Sequence, residues 1–302
     1  MTVKKVYLND PVSPKAYDLL KSKVEIVTTY DHPEELDAII VRQQYVTREV
    51  IEKAVNCKLI SMHGTGTERI DLEAAKEYGI PVITHAGYNA TSVAELAVTQ
   101  LMACARKLKE IDRGLRQGKY HAFGDAFSNE HEIFNSKVGI IGTGNIACEI
   151  ARIMRNGFNC TIYGYNNHRT SEELLKRGFI KVTSVNELLS KCDYFVVACV
   201  LNDETRNLIT KETFKEANKD LVLVNISRGG IINEDDLYEV LVNKQIKAAA
   251  SDVYAIEPVD KDLPLLHLDN FIGTFHVGGS TVEAMERLGI ATVEEVFKVL
   301  EI

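Results

Sequence analysis

No stretch limits the possible folds of this chain as sharply as Val138-Gly139-Ile140-Ile141-Gly142-Thr143-Gly144-Asn145-Ile146-Ala147. Val138 to Ile141 is a short apolar run rich in β-branched residues, the pattern of a parallel strand buried on both faces. It breaks into Gly142-x-Gly144-x-x-Ala147, then into apolar residues at helical spacing through Met154. Gly142 allows a tight turn, and Gly144 leaves room for a pyrophosphate to approach the backbone. Ala147 is small enough for the helix to pack close to the strand, and the helix N-terminus offers free N–H groups. A glycine triplet alone is often only a turn. With a strand ahead, a helix behind and a second strand over 160–165, it reads as a dinucleotide fingerprint, with Gly142, Thr143, Gly144, Asn145 and Ile146 at the cofactor.

The fingerprint begins near residue 140 of 302, so a whole domain's length precedes it, and two domains are expected. Strand-like and helix-like segments alternate from Val3 to Thr84, which predicts a parallel sheet covered on both faces. No second fingerprint occurs there. His63-Gly64-Thr65-Gly66-Thr67, after a strand over 59–62, is a candidate anion loop, with a plain strand-to-helix turn as the alternative. A long helical pattern runs from about Thr91 to Gly118, followed by a polar segment over 119–136 containing Gly124, Asp125, Ser128 and Asn129. The last helix, Val282–Leu300, is amphipathic and is expected to return to the first domain. A net charge of −8 gives no general attraction to nucleic acid or anionic membrane. No apolar run approaches the length of a membrane span. Six cysteines lie scattered without C-x-x-C pairs, so neither a metal site nor a disulfide framework is indicated, and a cytoplasmic location is expected.

Three polar residues stand just after buried strands of the second domain: Arg228 after Leu221–Ile226, Glu257 after Ala248–Val253, and His276 after Phe271–Thr274. Taken singly, each has an ordinary account: a helix cap, a solvated loop charge, a satisfied histidine. Parallel strands deliver their C-terminal ends to one edge, so the three together are candidates for a site beside a nicotinamide.

At these residues the chain resembles the D-2-hydroxyacid dehydrogenases, the family of glyoxylate/hydroxypyruvate reductases, D-lactate dehydrogenases and phosphoglycerate dehydrogenases. The resemblance covers nearly the whole chain. It runs through Gly64-Thr65-Gly66, Ile70–Ala75, Asn89 with Val93–Leu96, the fingerprint, Asn225–Gly230, Asp252-Val253 with Glu257-Pro258, and His276 with Gly278-Gly279. It implies an α/β protein of two doubly wound parallel-sheet domains. A flavodoxin-like substrate domain (1–97 plus 277–302) would face a Rossmann cofactor domain (98–276) across the catalytic cleft. Arg228 would hold the substrate carboxylate, His276 would be the acid–base group, and Glu257 would favour its charged form. Gly64, Thr65 and Gly66 would bind the carboxylate from the other domain, with Arg42 a candidate for a phosphate or second carboxylate or else an exposed strand-end residue. Ser227, Asp252 and Gly278 would lie at the cofactor, Asp252 holding the carboxamide.

The resemblance favours a glyoxylate/hydroxypyruvate reductase-like NAD(P)-dependent enzyme acting on a small anionic 2-oxo or 2-hydroxy acid, as a homodimer. A phosphoglycerate dehydrogenase-like activity is the alternative. A non-catalytic nicotinamide-sensing protein on the same scaffold is a third reading, and the absence of a long appended tail weighs against it. An L-specific lactate or malate dehydrogenase would carry its fingerprint near the N-terminus. Departures from the family are Phe275, where a proline is common, and Ala198, Cys199 and Val200, where a His-x-Pro element is common. After the second strand a ribose-binding Asp is common, but here the residues are Tyr165, Asn166, Asn167, His168 and Arg169. Asn166 can still hydrogen-bond, and His168 and Arg169 carry charge that suits a 2′-phosphate, so NADP(H) is slightly favoured over NAD(H).

Overall fold

Two all-parallel sheets hold the twelve strands of the computed structural model, which describes residues 3–118 and 130–302. The chain divides into one unit of residues 1–90 and 279–302 and another of residues 91–278. In the first, β1 (Lys4–Leu8), β2 (Val24–Val27), β3 (Ala38–Val41), β4 (Ile60–Met62) and β5 (Val82–Thr84) lie in the order β2-β1-β3-β4-β5, the flavodoxin-like arrangement. Alternate residues face opposite sides of a strand. Tyr7, Ile39, Val41 and Ile60 accordingly enter one apolar core, while Val6, Leu8, Ala38 and Ile40 enter another. Helices α1 (Pro14–Lys21), α2 (Arg48–Lys53) and α3 (Leu72–Glu77) begin at Ser13, Thr47 and Asp71, whose side chains accept amides of their first turns.

The second unit opens with α4 (Ala90–Ala105, from Thr91 on) and α5 (Leu108–Arg116). The single long helix expected over 91–118 is therefore two. The break falls at Lys107, in the left-handed region at φ 49°, although Ala105-Arg106-Lys107-Leu108 keeps helical composition. Its cause is tertiary: the Lys109 ammonium donates to the carbonyls of Leu268 (2.9 Å) and Phe271 (2.8 Å), and Arg113 pairs with Asp269. Most of the polar segment over 119–136, with Gly124, Asp125, Ser128 and Asn129, lies outside the described residues.

Then follow β6 (Lys137–Ile141), α6 (Asn145–Phe158), β7 (Thr161–Tyr165), α7 (Ser171–Lys176), β8 (Ile180–Lys181), α8 (Val185–Lys191) and β9 (Tyr194–Val197). β10 (Val222–Asn225), α9 (Glu234–Val242), β11 (Ala248–Ser251) and β12 (Phe271–Gly273) complete the unit, and α10 (Val282–Leu300) belongs to the first. The strand order is β12-β11-β10-β9-β6-β7-β8, doubly wound about β6. Val138, Ile140, Val196 and Val224 pack with α4 and α6 on one face; Ile141, Phe195, Val197 and Leu223 pack with α8 and α9 on the other. In the first unit, Val293, Val296, Phe297 and Leu300 of α10 close the core that Ala16 and Leu20 of α1 share. No helix among the described residues is long and apolar enough to cross a membrane.

Candidate active site

The fingerprint turn is held from three sides. Gly142 stands at φ 88°, its amide donates to Tyr165 O (3.1 Å), and a Cβ there would press to 2.5 Å on the carbonyl oxygen of Ala198. Only glycine fits that approach. Gly144 begins α6 with no side-chain cap, and a Cβ on it would meet open space. α7, by contrast, opens on a complete capping box, Thr170 with Glu173. Open room over Gly144 and uncapped amides at the start of α6 suit a dinucleotide pyrophosphate. Thr143 is buried, Asn145 is exposed and Ile146 packs against the core.

At the end of β7, Asn166 is committed to local structure. Its Nδ2 donates to Thr143 Oγ1 (3.1 Å) and its Oδ1 accepts the His168 amide (2.9 Å). Arg177, which sequence reasoning missed, donates from Nη1 to the Thr143 carbonyl (3.1 Å), so a cation lies against the fingerprint turn. Bonds from Thr170 hold the Glu173 carboxyl below its usual range, against burial, and the charges of Arg169 and Arg177 add to this. His168 is exposed, with Glu204 3.9 Å away.

The ends of β10, β11 and β12 bring Arg228, Glu257 and His276 onto adjacent loops. Asn225, the last residue of β10 and almost fully buried, shapes the first of these. Its Oδ1 accepts the Ser227 amide (3.1 Å) and its Nδ2 donates to the Arg228 carbonyl (3.0 Å). The Ser227 hydroxyl donates to the Cys199 carbonyl, tying this loop to the end of β9. Arg228 Nη1 donates to Ser227 O (2.8 Å). Gly229 then lies so close to the loop after β11 that a Cβ would overlap the Tyr254 carbonyl. That loop carries Glu257, whose Oε1 accepts the Tyr254 amide (3.0 Å) and whose Oε2 lies 2.8 Å from His276 Nδ1. Burial pushes the Glu257 carboxyl up. The bonds from His276 and Tyr254, with the charges of His276 and Arg228, outweigh it and hold the carboxyl below its usual range.

His276 stands in the left-handed region at φ 56°, its amide donating to Asp252 O (2.7 Å). The Asp252 side chain, 2% exposed, is spent on the same loop. Oδ1 accepts the Thr274 hydroxyl (2.6 Å) and the Val277 amide (2.9 Å), and Oδ2 accepts the Gly278 amide (2.8 Å). One acceptor position of a carboxylate's four is left over. Gly278 is also held through its carbonyl, which accepts the buried Ser92 hydroxyl.

In the first unit the Gly64 amide donates to Met62 O (2.7 Å), and the Gly64 carbonyl accepts the His85 amide (2.9 Å). Thr65 is exposed, and Gly66 partly so. Arg42 does not project freely. Its Nη2 donates to Ser280 Oγ (3.0 Å) and its Nη1 lies 2.9 Å from Met285 Sδ. His63, 1% exposed, has no hydrogen-bond partner at either ring nitrogen by ordinary geometry, although the nearby Met285 carbonyl slightly favours its charged form. Burial first, then the Arg42 charge, pushes His63 down to about 4. No group of His, Cys, Asp and Glu that could hold a metal ion occurs among the described residues.

Residues 98–278 match the family described as "D-isomer specific 2-hydroxyacid dehydrogenase, NAD binding domain". The chain is 34% identical over 310 residues to a hydroxypyruvate reductase from Thermotoga maritima, covering 99% of each. It is 36% identical over 305 residues to a D-3-phosphoglycerate dehydrogenase from Methanocaldococcus jannaschii, covering 98% of this chain but 57% of that one. A crystal structure from Polaromonas sp. JS6 66, provisionally described as a D-isomer specific 2-hydroxyacid dehydrogenase, superposes with a TM-score of 0.88 at 27% identity, covering 99% of this chain and 97% of that one.

Proposed function

Since the chain belongs to the D-isomer specific 2-hydroxyacid dehydrogenases, a family of nicotinamide-dependent oxidoreductases, we propose that it reduces a small 2-oxo acid to the D-2-hydroxy acid. The observation that carries this reading is His276 Nδ1 bonded at 2.8 Å to Glu257 on a loop against which the Arg228 loop is packed. The guanidinium of Arg228 binds the substrate carboxylate and polarises the 2-oxo group. His276, protonated and oriented through Nδ1, gives its Nε2 proton to the ketone oxygen. Glu257 stays ionised and favours the imidazolium. The bound nicotinamide supplies the hydride that arrives at C2. The amides opening α6, with Gly142, Thr143, Gly144, Asn145 and Ile146, hold the pyrophosphate; Ser227, Gly278 and the remaining acceptor of Asp252 serve the nicotinamide end. In the first unit the loop of Gly64, Thr65 and Gly66 is a candidate anion loop whose available donors are the Thr65 and Gly66 amides, the Gly64 amide being bonded to Met62 O.

A glyoxylate- or hydroxypyruvate-sized substrate is favoured over a phosphorylated one. Arg42 is already bonded within its own unit, and a relative matched over 99% of both chains is named hydroxypyruvate reductase. Oxidation of NADH and NADPH with glyoxylate, hydroxypyruvate and pyruvate, set beside the reverse reaction with 3-phosphoglycerate, tests the assignment. No turnover of any 2-oxo acid would overturn it, and turnover of 3-phosphoglycerate alone would replace the substrate. Six free cysteines suit a reducing, cytoplasmic setting.

For the cofactor, NADP(H) preference rests on Arg169 with Arg177 and on the absence of a carboxylate at the end of β7. Charge-assisted contacts to phosphate are worth about 1.5–3 kcal/mol. Arg169→Ala is therefore expected to lower NADPH efficiency by roughly one to two decades and to leave NADH efficiency nearly unchanged. Equal losses with both cofactors would show that Arg169 does not read the 2′-phosphate. A homodimer is the expected assembly. Leu108, Ile111 and Leu115 lie on one face of α5, 55%, 48% and 56% exposed, an apolar stripe suited to a second copy. Sedimentation should give twice the 33.7 kDa chain mass at micromolar concentration, and Ile111→Glu should shift it towards monomer. A wild-type monomer would contradict the assembly.

A further inference from the structure

α9 begins with a carboxylate that its own first turn does not require. Asn233 already caps the helix, its Oδ1 accepting the Asp236 amide (3.0 Å). Glu234 instead turns to the loop after β11, where its Oε1 accepts the Ala255 amide at 2.6 Å. The preceding amide, Tyr254 N–H, goes to Glu257 Oε1 (3.0 Å), and the other oxygen of Glu257 meets His276 Nδ1 (2.8 Å). Two successive amides are thus divided between two carboxylates, one that pairs with His276 and one that does not touch it. Gly229 presses on the same turn at the Tyr254 carbonyl.

Glu234 is half-buried. Burial pushes its carboxyl up against the Ala255 bond, and the charges of Asp235 and Glu257 push in the same direction as burial. The groups facing it are Asp235 on its own helix, with Tyr254 and Glu257 on the loop; His276 and Arg228 act on Glu257 in turn. A short bond from an amide to a carboxylate, partly withdrawn from water, is a strong restraint on a loop.

We propose that Glu234 is a positioning residue for the acid–base pair: by holding the Ala255 amide it fixes the turn that sets Glu257 Oε2 against His276 Nδ1. The inference rests on the acid–base reading of His276. Two substitutions separate the bond from the charge. Glu234→Asp keeps an acid in the first turn of α9, where the helix dipole favours one, but is a methylene too short for Ala255. Glu234→Gln keeps reach and acceptor and gives up the charge.

The experiment follows kcat/KM for 2-oxo acid reduction across the neutral and alkaline range, with cofactor affinity measured in parallel. Glu234→Asp is expected to slow reduction about tenfold, the order of cost for a sub-ångström misplacement. It should also move the alkaline limb of the profile to lower pH, because the imidazolium has lost part of its partner. Glu234→Gln should recover most of the rate, and cofactor affinity should be unchanged in both. In a Glu257→Gln background, Glu234→Asp should add nothing, since it acts through Glu257. A wild-type limb in Glu234→Asp, a Glu234→Gln enzyme as impaired as Glu234→Asp, or full additivity with Glu257→Gln would each overturn the proposal. If Glu257→Gln alone leaves rate and limb unchanged, the acid–base reading falls first and takes this one with it.

Discussion

His276→Ala is expected to lower the rate of 2-oxo acid reduction by about 10²–10⁴-fold, the usual cost of losing a positioned general acid. Cofactor affinity should barely change, because His276 Nδ1 is bonded to Glu257 and the amides proposed to bind the pyrophosphate lie on α6, beyond β10 and β9 in the sheet. Arg228→Ala should differ in kind. On the proposed mechanism one guanidinium both binds the carboxylate and polarises the carbonyl, so KM should rise as kcat falls. Steady-state kinetics with tight-binding controls for the cofactor check both. An undiminished rate in His276→Ala would remove the mechanism.

The second large effect concerns stability. Burial and the Arg42 charge hold His63 near 4, whereas an unfolded histidine titrates near 6.5. Between those values the unfolded chain binds a proton that the folded chain refuses. Stability contributed by neutral His63 is therefore complete above pH 6.5 and declines as pH falls towards 4. At 1.36 kcal/mol per unit, the whole window amounts to about 3 kcal/mol. His85, also lowered by burial, acts in the same sense. The Glu257 carboxyl, held below its usual range, adds its own loss on acidification. The quantity to measure is thus the difference between wild type and His63→Leu in urea unfolding from pH 7 down to pH 4.5. The variant should lose less stability across this range, and an identical slope in the two proteins would rule the account out.

Which parts of this architecture could be read before the structure follows from where the information lies. Most strands were legible because they are short apolar runs rich in β-branched residues, and parallel strands buried on both faces need little else; β11, Ala248–Ser251, has no β-branched residue and reads as a strand from its small apolar run alone. The end of α4 was not. Residues 105–109 read as good helix, and the turn at Lys107 is imposed by carbonyls of residues 266–271, more than 150 positions away. α9 went unread although Asn233-Glu234-Asp235-Asp236 has the form of a capped, acidic helix start, three residues after the glycines of the Arg228 loop.

At the site, Arg228, Glu257 and His276 were legible as charged residues at strand ends. Arg177 and Glu234 were not, nor was the bonding role of Asn225, which stands among the residues of the resemblance, since each acts on a backbone group of a neighbouring residue or a distant loop, and such bonds leave no spacing to detect. Asn166 shows the converse. It was conspicuous at a position where family members often carry an acid, yet its side chain is used to brace the fingerprint.

The left-handed backbone of His276 carries a consequence for how this position tolerates change. An L-residue held there costs the folded chain about 1–2 kcal/mol that glycine, and to a lesser degree asparagine, would not incur. Ranked by backbone strain alone, substitutions at 276 would therefore place glycine ahead of the histidine present. Ranked by turnover, on the proposed role of the imidazole, the order reverses. The two selective pressures are opposed at this residue, and a lineage relieved of the reaction but still under pressure to fold would be expected to lose the imidazole early.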